Sequence, residues 1–364
     1  MAVFRATAEA EKRPFLFRDH RPETVGEWDG SRPLRFRTPR IARYEWDDAV
    51  LGNLSAGEEA LDDFILIKGD GYPTYNFAHV VDDIEMKITH VMRGQEFVSS
   101  TPKFLALYEA LDTAPPVFAT LPPILGESGT KKLSKRDGAK DVLDYKREGY
   151  LPEALVNFLA LLGWNPGGDE EFFTPDQLIA TFSLERVQRS GAQFNDEKLL
   201  HLNREWMRTL TDDGYLAQLG SDEDITVLAR ALPILKERAQ TFAEARSMLE
   251  TELDFLFTAP TLDPALLTAK EPGERPGCTK EMLSLVLATL RLESDQSTPE
   301  AVKELLMPVA DLEEAKGKGG RGAMLWPLRY GLSGKERSPD PFTLVAVLGT
   351  EEAISRVERA LAIL

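Results

Sequence analysis

From Asp63 onward the hydrophobic positions fall into two spacings that alternate along the chain. Residues 64–68 form a short apolar run of the kind a buried strand gives, and Asp70-Gly71-Tyr72-Pro73 follows as a turn. Phe77, Val80, Val81 and Ile84 are then spaced i, i+3, i+4, i+7, the apolar stripe of a helix. Residues 88–92 read as a second strand. Thr101-Pro102 opens a second helix, threonine suiting the N-cap and proline the first turn, with a stripe of Leu105, Tyr108 and Leu111. Residues 117–121 give a third strand. Strand–helix–strand–helix–strand predicts a parallel sheet with crossover helices, half of a nucleotide-binding fold. Before it, the first 45 or so residues read as irregular, punctuated by Pro14, Pro22, Pro33 and Pro39.

After Asp141 the strand signals stop and helical ones take over. Residues 152–162 predict a helix closed by Gly163, and Thr174-Pro175, Asn195 and Thr298-Pro299 mark further helix starts. Residues 350–364 close the chain as an amphipathic helix with Ile354, Val357 and Leu361 on one side. A Gly/Lys loop, Lys316-Gly-Lys-Gly-Gly-Arg321, interrupts the helices. The expected architecture is α/β, a half Rossmann-like fold with a parallel sheet, followed by an all-α region.

Composition narrows the class. The 364 residues are 43% hydrophobic and 28% charged, which fits a folded globular chain of two or three domains. No apolar run is long enough for a membrane helix, so no membrane role is expected. The single cysteine, Cys278, excludes an internal disulfide and a multi-cysteine zinc site, and fits a reducing cytoplasm. Net charge is −17, which argues against non-specific nucleic-acid binding; residues 1–43, however, carry a net +4, which leaves room for a specific RNA partner.

Two constellations could carry chemistry. Lys131, Lys132, Lys135 and Arg136 put four cations within six residues of a glycine-flanked loop behind a predicted strand. Such a loop can neutralise charge on a triphosphate, although a solvated basic loop would carry the same residues. Tyr75, His79 and Asp82 fall within about 60° of one another on the first helix, opposite its apolar stripe. Arg93 stands at the carboxyl end of the second strand, where open parallel sheets bind ligands. Tyrosine and arginine there suit an anionic side chain, which a guanidinium grips with two parallel bonds; an intramolecular ion pair on a wet helix face is the alternative. Asp82 and Asp83 are adjacent on a helix and do not converge, and His20, His79, His90 and His201 have no metal-ligand spacing. No GxSxG or GxxxxGK[ST] motif occurs.

These stretches resemble the bacterial glutamyl-tRNA synthetases, class I aminoacyl-tRNA synthetases. The matching segments are Asp70-Gly-Tyr-Pro-Thr-Tyr-Asn-Phe-Ala-His-Val-Val-Asp-Asp83, Ile88-Thr-His-Val-Met-Arg-Gly94, Lys132-Leu-Ser-Lys-Arg136, Gly149-Tyr-Leu-Pro-Glu-Ala-Leu155, residues 195–203 and Trp326-Pro-Leu-Arg-Tyr-Gly-Leu-Ser-Gly334. The resemblance implies ATP-dependent activation of L-glutamate and its transfer to tRNA(Glu). It implies that Tyr75, His79 and Arg93 hold glutamate, and that Glu96, Leu125, Lys132, Leu133, Ser134, Lys135 and Arg136 contact ATP, Lys135 being the principal catalytic cation. It makes Arg238 an anticodon contact. Mg2+ is expected with ATP, zinc is not, and the family is monomeric and cytoplasmic. The implied layout is a remnant of the acceptor-binding insertion over 1–58, the second half of the catalytic fold over 59–145, a stem-contact domain over 146–215 and a helical anticodon-binding domain over 216–364.

The family's opening strand, with its Pro-x-Pro-[Ser/Thr]-Gly and His-[Ile/Val]-Gly segments, has no counterpart in the sequence. The chain is therefore expected to be N-terminally truncated and impaired in activity alone. Two further readings stay open at this stage: a non-catalytic tRNA-binding or split subunit that needs an N-terminal partner, and a glutaminyl-type ligase.

Overall fold

Alternating burial builds the first sheet. In Tyr44–Asp48 (β2) the side chains of Tyr44, Trp46 and Asp48 are buried and those between them exposed, the period of a strand with one face on a core. In this computed structural model, residues 2–39, 41–126, 128–134, 136, 138–273, 275–292, 297–315 and 320–364 are described. The chain divides into two compact units, Met1–Ala139 with Val156–Asp196, and Lys140–Leu155 with Glu197–Leu364.

The first unit opens with a helix, Ala2–Ala10 (α1), and a short strand, Leu34–Arg35 (β1). β2 follows and turns back into Gly52–Ala56 (β3). Then come Ile65–Ile67 (β4), the helix Tyr75–Glu85 (α2), His90–Gly94 (β5), the helix Thr101–Ala110 (α3) and Val117–Leu121 (β6). The main sheet has the order β3-β2-β6-β5. β5 and β6 are parallel over their full length, from His90 opposite Val117 to Gly94 opposite Leu121, and α3 is their crossover. β2 joins β6 in parallel through Asp48 and Phe118, and pairs antiparallel with β3. Phe104, Leu107 and Tyr108 of α3, Val80 of α2 and Trp46 of β2 pack into one core over this sheet.

Several elements differ from the sequence reading. The predicted first strand is real, but β4 pairs antiparallel with β1 outside the main sheet. The chain doubles back through the 70–73 turn, where Thr74 N–H donates to Leu66 O and Lys68 N–H to Tyr72 O, while residues 34–36 take the other edge. The sheet is thus mixed, with a parallel pair at its centre. The segment read as irregular contains α1, an alanine-rich stretch of good helix formers anchored by buried Ala8. The second helix begins at Thr101 with Ser100 as N-cap; the Thr101 hydroxyl instead donates to Phe97 O. Strands also do not stop at Asp141: Ala192–Gln193 (β8) runs parallel to Ile124–Leu125 (β7). Gly191 permits that approach, since a Cβ there would lie 2.8 Å from Pro123 O.

The N-terminal segment is pinned by two acids. Asp62 accepts from the backbone N–H groups of Phe17 and Arg18. Buried Asp63 takes both arms of Arg21, Nε at 2.7 Å and Nη2 at 2.6 Å, and the N–H of Thr38. Burial pushes the Asp63 carboxyl up, but Arg21 and Thr38 outweigh it and hold it below the usual carboxylate range.

In the second unit, Asp196–Thr209 (the next long helix) carries Asn203, which is fully buried. Its Oδ1 accepts from Leu151 N–H and its Nδ2 donates to Gln240 O. Gly149, at φ +80°, lies against the start of the helix Phe242–Thr251, where a Cβ would stand 2.7 Å from Ala243 N. The remaining helices include Ile225–Arg238, Cys278–Leu292, Pro299–Ala315, Gly322–Ser333, Pro341–Leu348 and Thr350–Ala362. The last buries Ala353, Arg356, Val357 and Ala360, and Arg356 donates to Leu332 O and pairs with Glu352. Residues 316–319 of the predicted Gly/Lys loop lie outside the described residues.

Asp48 ties the strands of the main sheet together. Its Oδ1 accepts from the N–H groups of Val50, Leu51 and Thr120, and its Oδ2 from the Thr120 hydroxyl at 2.6 Å. Burial raises its pKa, but these bonds outweigh it and leave the carboxyl below its ordinary value. Asp48→Ala strands three backbone donors, two of them on buried residues, and is expected to cost about 3 kcal/mol or more in urea unfolding. Asp48→Asn keeps the Oδ1 acceptor and costs less than half of that. A folded-state pKa below the unfolded value of about 3.9 contributes stability above that pH and loses it as pH falls toward the folded value. The two variants therefore have a shallower acid slope than the unaltered chain. Equal stability of all three proteins would contradict this role.

Candidate active site

The site begins where α2 does. Thr74 is extended and its hydroxyl donates to Ile65 O, which sets the first residue of the helix, Tyr75, near the start of β4. Tyr75 and His79 are one turn apart, their rings 5.1 Å from centroid to centroid. β5 delivers Arg93 to the same place. Its guanidinium lies over the ring of Phe97 at 5.0 Å and that of Phe104 at 5.2 Å, two cation–π contacts that hold it in place. Tyr75 also lies 5.7 Å from Phe97 with the rings tilted 37° to each other, and His79 meets Phe104 edge-on at 4.3 Å. Tyr75, His79 and Arg93 are thus brought together.

The helix carboxylate that serves this cluster is Asp83. Asp82, grouped with Tyr75 and His79 in the sequence reading, is exposed. Asp83 Oδ2 lies 3.3 Å from His79 Nδ1 and accepts from the Tyr108 hydroxyl at 3.4 Å. Burial and then the charge of Asp83 push the Tyr108 hydroxyl far above the ordinary phenol range, so it stays a donor. Burial lowers the His79 pKa; Asp83 opposes this and Arg93 reinforces it, and the result is an imidazole below its ordinary value. Two polar atoms of the cluster are buried with no protein partner, His79 Nε2 and Arg93 Nη1. Sequence reasoning missed Asp83, Phe97, Phe104 and Tyr108. The i, i+4 spacing of His79 and Asp83 was a readable signal for the first; the others required knowing how α3 crosses the sheet.

Three residues beyond Arg93, a 3-10 turn over Gln95–Ser100 carries Glu96. Glu96 Oε1 pairs with Lys132 Nζ at 3.1 Å. Its own backbone N–H and then Lys132 hold its carboxyl below the usual range. A Cβ at Gly94 would stand 2.3 Å from Glu96 Oε2, so any side chain there displaces this carboxylate. The lysine-rich loop returns antiparallel against β7: Leu125 bridges Lys132, Gly126 N–H donates to Lys131 O, and Leu133 N–H donates to Ile124 O. Leu133 and Ser134 are half-buried, while Lys132 and Arg136 are exposed. Lys135 lies outside the described residues. In the helical unit, Arg238 is half-exposed at the end of its helix and pairs with Glu252 at 2.8 Å.

A strand-end arginine facing an aromatic helix turn, joined by an acid to a basic loop, suits a site that takes an anionic amino acid beside a polyphosphate. Residues 16–201 match the family model described as the catalytic domain of tRNA synthetases class I (E and Q), and residues 198–361 match that of an anticodon binding domain. The fold is therefore that of a class I aminoacyl-tRNA synthetase.

Relatives narrow this further. The chain is 40% identical to the glutamate–tRNA ligase of Heliobacterium modesticaldum over 91% of its length and 67% of the relative's. It is 36% identical to that of Clostridium botulinum strain Eklund 17B, over 100% and 76%. A crystal structure of a glutamate tRNA ligase from Elizabethkingia meningosepticum, in complex with its amino acid, matches with a TM-score of 0.76 at 31% identity, over 98% of this chain and 70% of that one. The chain belongs to the glutamate–tRNA ligase family, and its function is the ATP-dependent joining of glutamate to tRNA in translation. Among the described residues, no helix is long and apolar enough to cross a membrane.

The lowered His79 pKa has a consequence for stability. Between the folded value and the ordinary one of about 6.5, the unfolded chain binds more protons, so stability rises with pH across that window and is level above it. His79→Gln removes the titrating group. Its urea midpoint is expected to rise less than that of the unaltered chain between pH 5 and 7, and equal slopes would contradict the assignment.

Proposed function

We propose that Tyr75, His79 and Arg93 hold glutamate, and that Glu96, Leu125 and the loop from Lys132 to Arg136 hold ATP. The observation that carries this reading is the Glu96–Lys132 ion pair. It links the phosphate loop to the turn that follows Arg93, so the two sets of residues serve one reaction centre. In that centre a carboxylate oxygen of glutamate attacks the α-phosphorus of ATP and pyrophosphate leaves. Negative charge must be held on the phosphates as the bond changes, and Lys132, Lys135 and Arg136 are the cations for it. Lys135 is the principal one by its position in the motif. Glu96 keeps Lys132 aimed until phosphate oxygens compete for it. Arg93, held by the rings of Phe97 and Phe104, presents its unpartnered Nη1 to a carboxylate. Magnesium accompanying the nucleotide would shield its phosphates, and no zinc is invoked.

In the same reading, residues 146–215 contact the tRNA stem and residues 216–364 the anticodon, the latter supported by the family match over 198–361. Arg238 is the proposed anticodon contact, with RNA competing against Glu252 for its guanidinium. The enzyme acts as a cytoplasmic monomer.

Ligand binding separates the two halves of the site. Arg93→Ala removes a charge-assisted bond of about 1.5–3 kcal/mol. It is expected to weaken glutamate binding more than tenfold by calorimetry and to leave ATP binding within twofold. Lys132→Ala does the reverse. If each variant weakens both ligands equally, or neither, the assignment of residues to substrates is wrong.

A further inference from the structure

The cluster around His79 holds more than the family reading requires. The inference below rests on Tyr75, His79 and Arg93 being the glutamate site, and deepens it. His79 Nδ1 faces Asp83 Oδ2, an oxygen that already accepts the Tyr108 hydroxyl. It therefore acts as an acceptor toward the imidazole too, and Nδ1 keeps its proton. In a neutral ring Nε2 is then a bare lone pair. That lone pair is buried with no protein partner, in the same cluster as the unpartnered Nη1 of Arg93. Both side chains pack on Phe104, the His79 ring edge-on and the Arg93 guanidinium over its face; a carboxylate that bonds Nη1 and reaches Nε2 meets a donor at the first and a lone pair at the second, and the second contact is repulsive. Moving the ring proton from Nδ1 to Nε2 does not relieve it, because Nδ1 would then turn its own lone pair on Asp83.

We propose that glutamate binding loads a second proton onto His79, at Nε2, so that a carboxylate of the amino acid is held between Arg93 and an imidazolium. The proton comes from solvent: neutral imidazole plus one hydrogen ion gives the imidazolium, and no other bond changes. The groups facing His79 account for the switch. On its own helix these are Asp83 and Tyr75; from α3 they are Phe104 and, through Asp83, Tyr108; from β5 it is Arg93. In the free protein Arg93 and burial keep His79 neutral, against the pull of Asp83. A bound carboxylate cancels the Arg93 charge and supplies an acceptor for Nε2–H, and both changes favour the cation. Glutamine is treated differently, since its amide N–H can donate to a neutral Nε2. Discrimination between the two amino acids thereby becomes a function of pH.

Histidine-selective 1H–15N NMR on the whole chain reads this directly, since only His20, His79, His90 and His201 contribute. At pH 7.5 His79 is expected as the neutral Nδ1–H form without glutamate, and with both nitrogens protonated at saturation. Glutamate affinity is expected to fall about tenfold per pH unit between the His79 midpoint of the free chain and that of the bound state, as uptake of one proton requires, and to level off above the latter. Glutamine affinity shows no such slope. His79→Gln, which keeps an N–H donor, binds glutamate without the pH dependence; the spectra of the unaltered chain decide the matter if that variant does not fold. Saturable binding with His79 neutral in either tautomer would overturn the inference and leave the site reading intact. Absence of saturable binding, or binding indifferent to Arg93→Ala, would overturn the site reading and this inference with it.

Discussion

A buried carboxylate sets the register on which the site depends. Asp48, at the end of β2, binds both the N–H and the hydroxyl of Thr120. Thr120 is the residue of β6 that lies opposite Arg93 in the parallel pair. Fixing Thr120 therefore fixes how far β5 projects beyond the sheet, and with it Arg93, Gly94 and the turn that carries Glu96. A one-residue slip would turn Arg93 to the other face. The bonds are paired and internal, so the carboxylate holds this position without needing solvent.

From that anchor the chemistry is assembled by short links. Phe97 and Phe104 hold the guanidinium, Glu96 holds Lys132, and Lys132 belongs to the loop paired with β7. The protein is strongly acidic overall, yet this loop gathers four cations within six residues. A local concentration of positive charge, joined through Glu96 to the strand end that carries Arg93, is compatible with a nucleotide substrate despite the net charge. The charge of the whole chain describes its solubility, whereas the site is governed by what lies within a few ångströms.

Much of this was legible in the sequence. The i, i+3, i+4, i+7 stripe located α2, and its polar face contained Tyr75 and His79. The placement of Arg93 at a strand end followed from the strand–helix–strand pattern, and β6 matches its expected span. What was illegible has physical causes. β4 is too short for its sequence to choose between a parallel neighbour and the antiparallel edge offered by β1. The Tyr44–Asp48 alternation was present, but it lay between proline-rich and acidic stretches that masked it. Asp83 was passed over in favour of Asp82 because an ideal helix wheel ignores which turn is covered by α3. Tyr108 looked like one more apolar stripe residue, and only the crossing of α2 and α3 turns its hydroxyl to Asp83. β8 depends on a close approach at Gly191 that has no local signal beyond the glycine itself.

The central claim is that one strand end serves both substrates, Arg93 taking the amino acid and the Glu96–Lys132 pair the nucleotide. A crystal structure of the chain with a non-hydrolysable glutamyl-adenylate analogue tests it most directly. The account predicts a carboxylate of the analogue within hydrogen-bond distance of Arg93 Nη1, with its phosphate-equivalent group facing the loop that contains Lys132. An analogue bound with Arg93 and that loop facing different cavities would contradict it.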